Sequence, residues 1–184
     1  FQEYVDNSIK SPDDVTRYLG LATLGTVPKI ESIGMRGLYR SGYGRYGYGY
    51  GYGYSGSRKK EEGSSNQKTT RSTIELAPYS SPSSIVAESY RSIRTSLLLS
   101  SADRPPKTIL VTSALPSEGK TATAVNTAIA LTQTGARVVL VDADMRKPRL
   151  NRILDVQQPV GLSSILTGTS SIQDAISTTV VDNL

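Results

Sequence analysis

The stretch TILVTSALPSEGKTATAVNTAIALTQTG, residues 108–135, restricts the fold more than any other part of the chain. A short apolar, β-branched run (108–114) has the composition of a buried strand. A helical pattern follows, with Val125, Ala128, Ile129 and Thr132 on one face and Gly135 suited to end it. Between them lies ALPSEGKT, residues 114–121, which matches the phosphate loop G-x-x-x-x-G-K-[ST] except for Ala114 at the first glycine. The residue types suit that chemistry. The backbone amides of Ser117, Glu118, Gly119, Lys120, Thr121 and Ala122 would wrap a phosphate at a helix N-terminus. Lys120 would reach the β/γ oxygens, and the Thr121 hydroxyl would ligate Mg²⁺. ATP and Mg²⁺ are therefore the expected ligands.

A second apolar run, RVVLVDAD, ends in Asp142 and Asp144 and continues as MRKP. Alternation along a strand sends both carboxylates to the same side. At the carboxyl edge of an open α/β sheet they would face the bound phosphates. One would hold Mg²⁺ with Thr121 while the other takes the proton from an attacking hydroxyl; Asp144 is set at the metal and Asp142 as the base, and the two roles are exchangeable. The alternative is a pair of solvated acids in a turn, partnered by Arg146 and Lys147.

Upstream, SSIVAESYRSIRTSLLLS spaces Val86, Tyr90, Ile93 and Leu97 as the stripe of an amphipathic helix. Helix, strand, helix, strand predicts an α/β fold: a P-loop NTPase-like parallel sheet with flanking helices, incomplete in this chain. Short helices are also expected around PRLNRIL and SIQDAI, the second with Ser171 and Asp174 as a capping box. Near the start, Ser11, Pro12, Asp13 and Asp14 open a short helix that should stop near Gly20.

Between these parts the composition changes. From Gly34 to Ser83 the chain is Gly, Tyr, Ser, Arg and Lys with few aliphatic residues, too little apolar surface to offset the entropy of ordering. The expected organisation is an N-terminal segment (1–33), a disordered Gly/Tyr/Ser-rich linker (34–83) and a P-loop domain (84–184). Within the linker, YGRYGYGYGYGYSG forms a ladder of tyrosines, each flanked by glycine. The chain has no cysteine and no histidine, which removes thiolate metal sites and Ser-His-Asp or Cys-His catalysis. A net charge of +5 permits contact with anionic lipid without requiring it, and no apolar run is long enough to span a bilayer.

SALPSEGKT followed by VVLVDADMRKP resembles the bacterial tyrosine kinases of exopolysaccharide synthesis, relatives of the partition and septum-site ATPases. The second motif is similar to that family's Walker A′, with Asp142, Asp144 and Arg146 in place of its D-x-D-x-R. Glu88, Arg91 and Arg94 are similar to its E-x-x-R-x-x-R, which implies exposed residues for ring-like self-association; the plainer alternative is a surface ion pair. Residues 1–31 look like the cytoplasmic stretch after the second transmembrane helix of the fused chain-length regulators. On this likeness segment 1–33 is juxtamembrane, and 84–184 is the N-terminal half of the P-loop domain.

The resemblance implies an autokinase that regulates exopolysaccharide or capsule polymerisation and export at the cytoplasmic face of the bacterial inner membrane. Its implied partners are further copies of itself, the transmembrane chain-length determinant region, the export machinery and the membrane surface; nucleic acid is not expected. The family's Walker B strand and C-terminal tyrosine cluster have no match here, so this portion alone is expected to be inactive. Tyr39, Tyr43, Tyr46, Tyr48, Tyr50, Tyr52 and Tyr54 are then candidate phosphoacceptors moved into the linker, or else a passive or membrane-surface spacer. The alternatives for the whole are a partition-type ATPase switch and a non-catalytic nucleotide-binding adaptor.

Overall fold

The computed structural model describes residues 9, 11–29, 74–101 and 103–184. The tyrosines from Tyr39 to Tyr54 lie outside the described residues, as does the expected linker up to residue 73.

Ser11 opens α1 (Pro12–Asp14) with a capping box. Its Oγ accepts from the Asp14 amide at 3.2 Å, and the Asp14 carboxylate accepts from the Ser11 amide at 2.9 Å. A π-helical turn, Val15–Leu19, follows and stops at Gly20, whose φ of 64° is left-handed and costs a glycine nothing. The chain then runs without regular structure to residue 29 and crosses Ile93. A Cβ at Gly25 would lie 2.7 Å from Ile93 Cγ1, so only a glycine allows this approach without the isoleucine giving way.

The centre of the molecule is two helices, α3 (Ile85–Leu99) and α4 (Lys120–Thr132), with the short α2 (Ala77–Ser80) against both. Ser84 caps α3, its Oγ accepting from the Ala87 amide at 3.2 Å. The expected stripe of α3 is the buried one: Val86, Tyr90 and Ile93 pack with Ala77 and Ala130, and Leu97 covers their edge. The other side of α4 gives Val125 and Ile129 to a second cluster with Leu154 and Val181, which Leu140 and Leu150 border. Each such side chain contributes roughly 1.5–3 kcal/mol by leaving water. Short helices α5 (Leu150–Ile153), α6 (Leu162–Leu166) and α7 (Ile172–Ala175) complete the chain. The Ser171/Asp174 capping box of α7 is present as expected, whereas α6 has no cap residue by which the sequence could announce it.

One expectation needs correction, and another is met only in part. Residues 74–83 were expected to be linker, yet Ala77 and Pro78 are buried. They are held by hydrogen bonds from α4 and the residue after it: Asn126 Nδ2 donates to the Ile74 carbonyl at 2.8 Å, and Gln133 Nε2 to the Pro78 carbonyl at 2.9 Å. Composition alone does not register such contacts, because the partners are small residues and backbone carbonyls.

The parallel sheet is the expectation met only in part. Among the described residues no strand pairing joins 108–114 to 138–142. One backbone hydrogen bond, from the Val138 amide to the Asn183 carbonyl at 2.9 Å, supports the start of the second run. Leu140 packs towards α4, while Val139 and Val141 remain 70% and 57% exposed and Leu110 85% exposed. Parallel sheets persist where helices cover both faces. Here one face of the 138–142 run meets α4 and the other is open, so apolar, β-branched composition is present without the layer that would bury it.

No helix among the described residues is long and apolar enough to cross a membrane.

Candidate functional site

The site forms where α4 begins. Gly119, in the N-cap position at φ 85°, has open space around the place where a Cβ would stand. That conformation suits glycine and leaves room for a ligand to approach the backbone. No side chain caps this end of α4. The first amides of a helix have no intrahelical acceptor, so those of Lys120, Thr121 and Ala122 are available to an anion. The preceding loop is braced by its own residues. Glu118 accepts from the Leu115 amide at 2.9 Å, Ser113 Oγ donates to the Leu115 carbonyl at 3.0 Å, and Ser117 adopts a left-handed φ of 67°. Glu118 therefore has a structural role in its side chain besides the amide expected from the motif.

Lys120 and the second motif meet: Lys120 Nζ lies 3.9 Å from Asp144 Oδ2, both side chains being about two-fifths exposed. Asp144 Oδ1 accepts from the amides of Arg146 (3.3 Å) and Lys147 (3.0 Å). The Lys147 amide holds the Asp144 carboxyl below its ordinary value of 3.8; the Arg146 amide and the Lys120 and Lys147 charges act in the same direction, against partial desolvation. A carboxylate depressed in this way stabilises the folded loop above the ordinary value and loses that contribution as pH falls through its folded pKa. A carboxyl ¹³C titration of Asp144 should accordingly show a midpoint below 3.8, leaving the Lys120 contact unaltered through the neutral range. A midpoint above that value would contradict the arrangement.

Asp142 is engaged differently. Its Oδ1 accepts from the Asp144 amide at 3.0 Å, and its Oδ2 from the amides of Arg149 (2.9 Å) and Leu150 (3.1 Å). Both oxygens thus serve the chain's own backbone, which folds residues 142–150 into a compact turn before α5. The sequence set both aspartates towards the phosphate, with Asp144 at Mg²⁺ and Asp142 as the base; here Asp142 binds loop amides and Asp144 faces Lys120. Two carboxylates and the Thr121 hydroxyl are hard oxygen donors of the kind Mg²⁺ takes together with phosphate, and the uncapped amides of α4 suit the phosphate itself.

The Glu88/Arg91/Arg94 set is less free than expected. Glu88 is exposed, but Arg91 pairs with it at 2.8 Å and also reaches the Pro82 carbonyl. Arg94 turns inward and donates to the Ala130 carbonyl of α4 at 3.0 Å. The described chain holds both arginines on its own surface, partly covered. Glu75 and Arg149, 2.6 Å apart, were not foreseen, because 74 positions separate them in sequence.

No family model matches the chain. Over 95 residues it is 43% identical to the tyrosine-protein kinase YwqD of Bacillus subtilis, an alignment covering 52% of this chain and 40% of that protein. The putative tyrosine-protein kinase CapB of Staphylococcus aureus is 34% identical over 115 residues, 62% of this chain and 50% of the relative. Among solved structures, the BceF tyrosine kinase domain superposes with a TM-score of 0.66 at 28% identity, covering 95% of this chain and 60% of that one. The chimerical protein CapA2B2 gives 0.64 at 27% identity, over 94% and 57%.

The chain shares the fold of the BceF tyrosine kinase domain over most of its length. It is similar to bacterial tyrosine kinases, and it spans 40–50% of the length of the curated relatives YwqD and CapB.

Proposed function

We propose that this chain supplies the ATP-binding half of an ATP-dependent protein tyrosine autokinase that controls exopolysaccharide chain length and export. The observation that carries the reading is the meeting of Lys120 and Asp144 beside the uncapped start of α4. Lys120 and the amides of residues 117–122 hold the phosphates of ATP. Thr121 and Asp144 hold Mg²⁺, which when bound draws charge from the phosphate oxygens. Asp142 keeps the 142–150 loop in place. Phosphoryl transfer through a loose transition state depends chiefly on position and charge. Those are what these residues provide: the bond from γ-phosphorus to the β,γ-bridging oxygen breaks, ADP leaves, and the tyrosine oxygen takes its place as its proton passes to Asp142, the base expected from the sequence.

The acceptors in this reading are the ladder tyrosines Tyr39, Tyr43, Tyr46, Tyr48, Tyr50, Tyr52 and Tyr54. Each phosphate would add about −1.5 to −2 charges at neutral pH, enough in number to oppose the basic residues around them and weaken contact with a membrane surface or another copy. Self-association through the exposed edge of Glu88 belongs to the same reading, as does work beside a membrane chain-length determinant and the export machinery. Incubating the full-length polypeptide with ATP and Mg²⁺ and mapping phosphotyrosine by mass spectrometry tests it. Phosphate between Tyr39 and Tyr54 is the expected result. Phosphotyrosine elsewhere would leave the ladder a spacer, and ATP turnover with no phosphotyrosine would place the protein with the partition-type ATPases.

A further inference from the structure

A closed circuit of contacts surrounds the candidate site and passes through a residue to which phosphate chemistry assigns no task. Asn126, fully buried in α4, donates Nδ2 to the Ile74 carbonyl at 2.8 Å and so fixes the position of the next residue, Glu75. Glu75 Oε1 accepts from Arg149 Nη2 at 2.6 Å; its side chain is only 17% exposed, against 56% for the arginine. The Arg149 and Leu150 amides bind Asp142 Oδ2, and Asp142 Oδ1 binds the Asp144 amide. Asp144 in turn faces Lys120, which stands on the same helix as Asn126. The path therefore leaves α4 at its second turn and returns to it at its first residue.

We propose that Glu75 is a positioning residue for Asp144, acting through Arg149 and Asp142. What gives the ion pair this leverage is the scarcity of other supports. Residues 143–149 are exposed, and among the described residues no strand pairing anchors the run that leads into them. Their shape depends on the amides gathered by the two aspartates, and Glu75 is the one side chain from a distant part of the sequence that grips this turn in the hydrogen bonds above. Glu75 is also the charged, largely buried member of the segment that begins at residue 74. The inference rests on the kinase reading only for what Asp144 is used for.

Hydrogen–deuterium exchange on the full chain tests the coupling without any ligand. Glu75→Ala should speed amide exchange in residues 143–150 by about threefold to fivefold, the size open to a pair half exposed to solvent, while the amides of α3 and α4 keep their rates. Glu75→Gln, which keeps the shape, should act in the same direction and serves if the alanine variant fails to fold. The charge-exchanged double variant Glu75→Arg/Arg149→Glu should restore slow exchange, because the amide of residue 149 still reaches Asp142. Unchanged exchange in residues 143–150, or a double variant no better than the single ones with α4 loosened as well, would overturn the proposal. ATP titrations in Mg²⁺ and in EDTA supply the second arm. The Glu75 variants should lose affinity by a similar factor in Mg²⁺ and none in EDTA; equal affinities in Mg²⁺ would overturn the positioning of Asp144. A wild-type chain that binds ATP in neither buffer would remove the kinase reading, and the exchange rates would then decide the coupling alone.

Discussion

Lys120→Met is expected to lower phosphotyrosine formation in the full-length polypeptide by roughly two to three orders of magnitude, the usual cost of deleting one preorganised charge from a transition-state site. Methionine keeps most of the length and apolar character of the lysine stem, so the start of α4 has no reason to unwind. Lys120 is not part of either buried cluster, and the thermal midpoint should hardly move. What disappears is the ammonium group 3.9 Å from Asp144, beside the uncapped amides of residues 120–122. The carboxylate would then face the phosphates with one counter-charge fewer, so ATP affinity should fall together with the rate. Phosphotyrosine counted by mass spectrometry over a time course reads the effect, with unfolding followed in parallel. A variant within tenfold of the wild type would mean that phosphate is held elsewhere, and the site described above would have to be abandoned.

The part of this site that could be read from sequence is the part built from neighbours along the chain. SEGKT ahead of a helical pattern announces amides, a lysine and a hydroxyl at one helix end, and α4 begins at Lys120. The spacing of Val86, Tyr90, Ile93 and Leu97 announces the buried face of α3. Ser171 with Asp174 announces α7, since a capping box is closed within four residues. What depends on distant partners was not legible. Apolar alternation in 108–114 and 138–142 states that a strand is suited to the place, but not that a neighbour is there to pair with it, and Val139 and Val141 remain open to solvent. Arg94 looked like a free surface cation because helical periodicity does not reveal that the Ala130 carbonyl lies within its reach. The division of labour between Asp142 and Asp144 is set by amides up to eight residues ahead of Asp142, and the support from Glu75 comes from farther still.

The largest stability effect should come from the middle of α4. Ile129 is 1% exposed and shares a cluster with Val125, Leu154 and Val181, which ties the helix to the end of the chain. Ile129→Ala removes three carbons from among the buried side chains of Val125, Leu154 and Val181. The expected cost is about 2–5 kcal/mol, transfer and cavity terms together. In a chain whose buried clusters are this small, such a loss is a large share of the total. Urea unfolding should show a lower midpoint with an unchanged slope. Leu110→Ala is the matching control: its side chain is 85% exposed, and its removal should change stability by no more than about 0.5 kcal/mol. Similar costs at the two positions would mean that 108–114 is covered in solution by something absent from the described fold, and that the apolar run lies buried as its composition predicts. A cost at Ile129 alone would make α4 the keystone of this chain, with its first residue holding phosphate and its third turn holding the core.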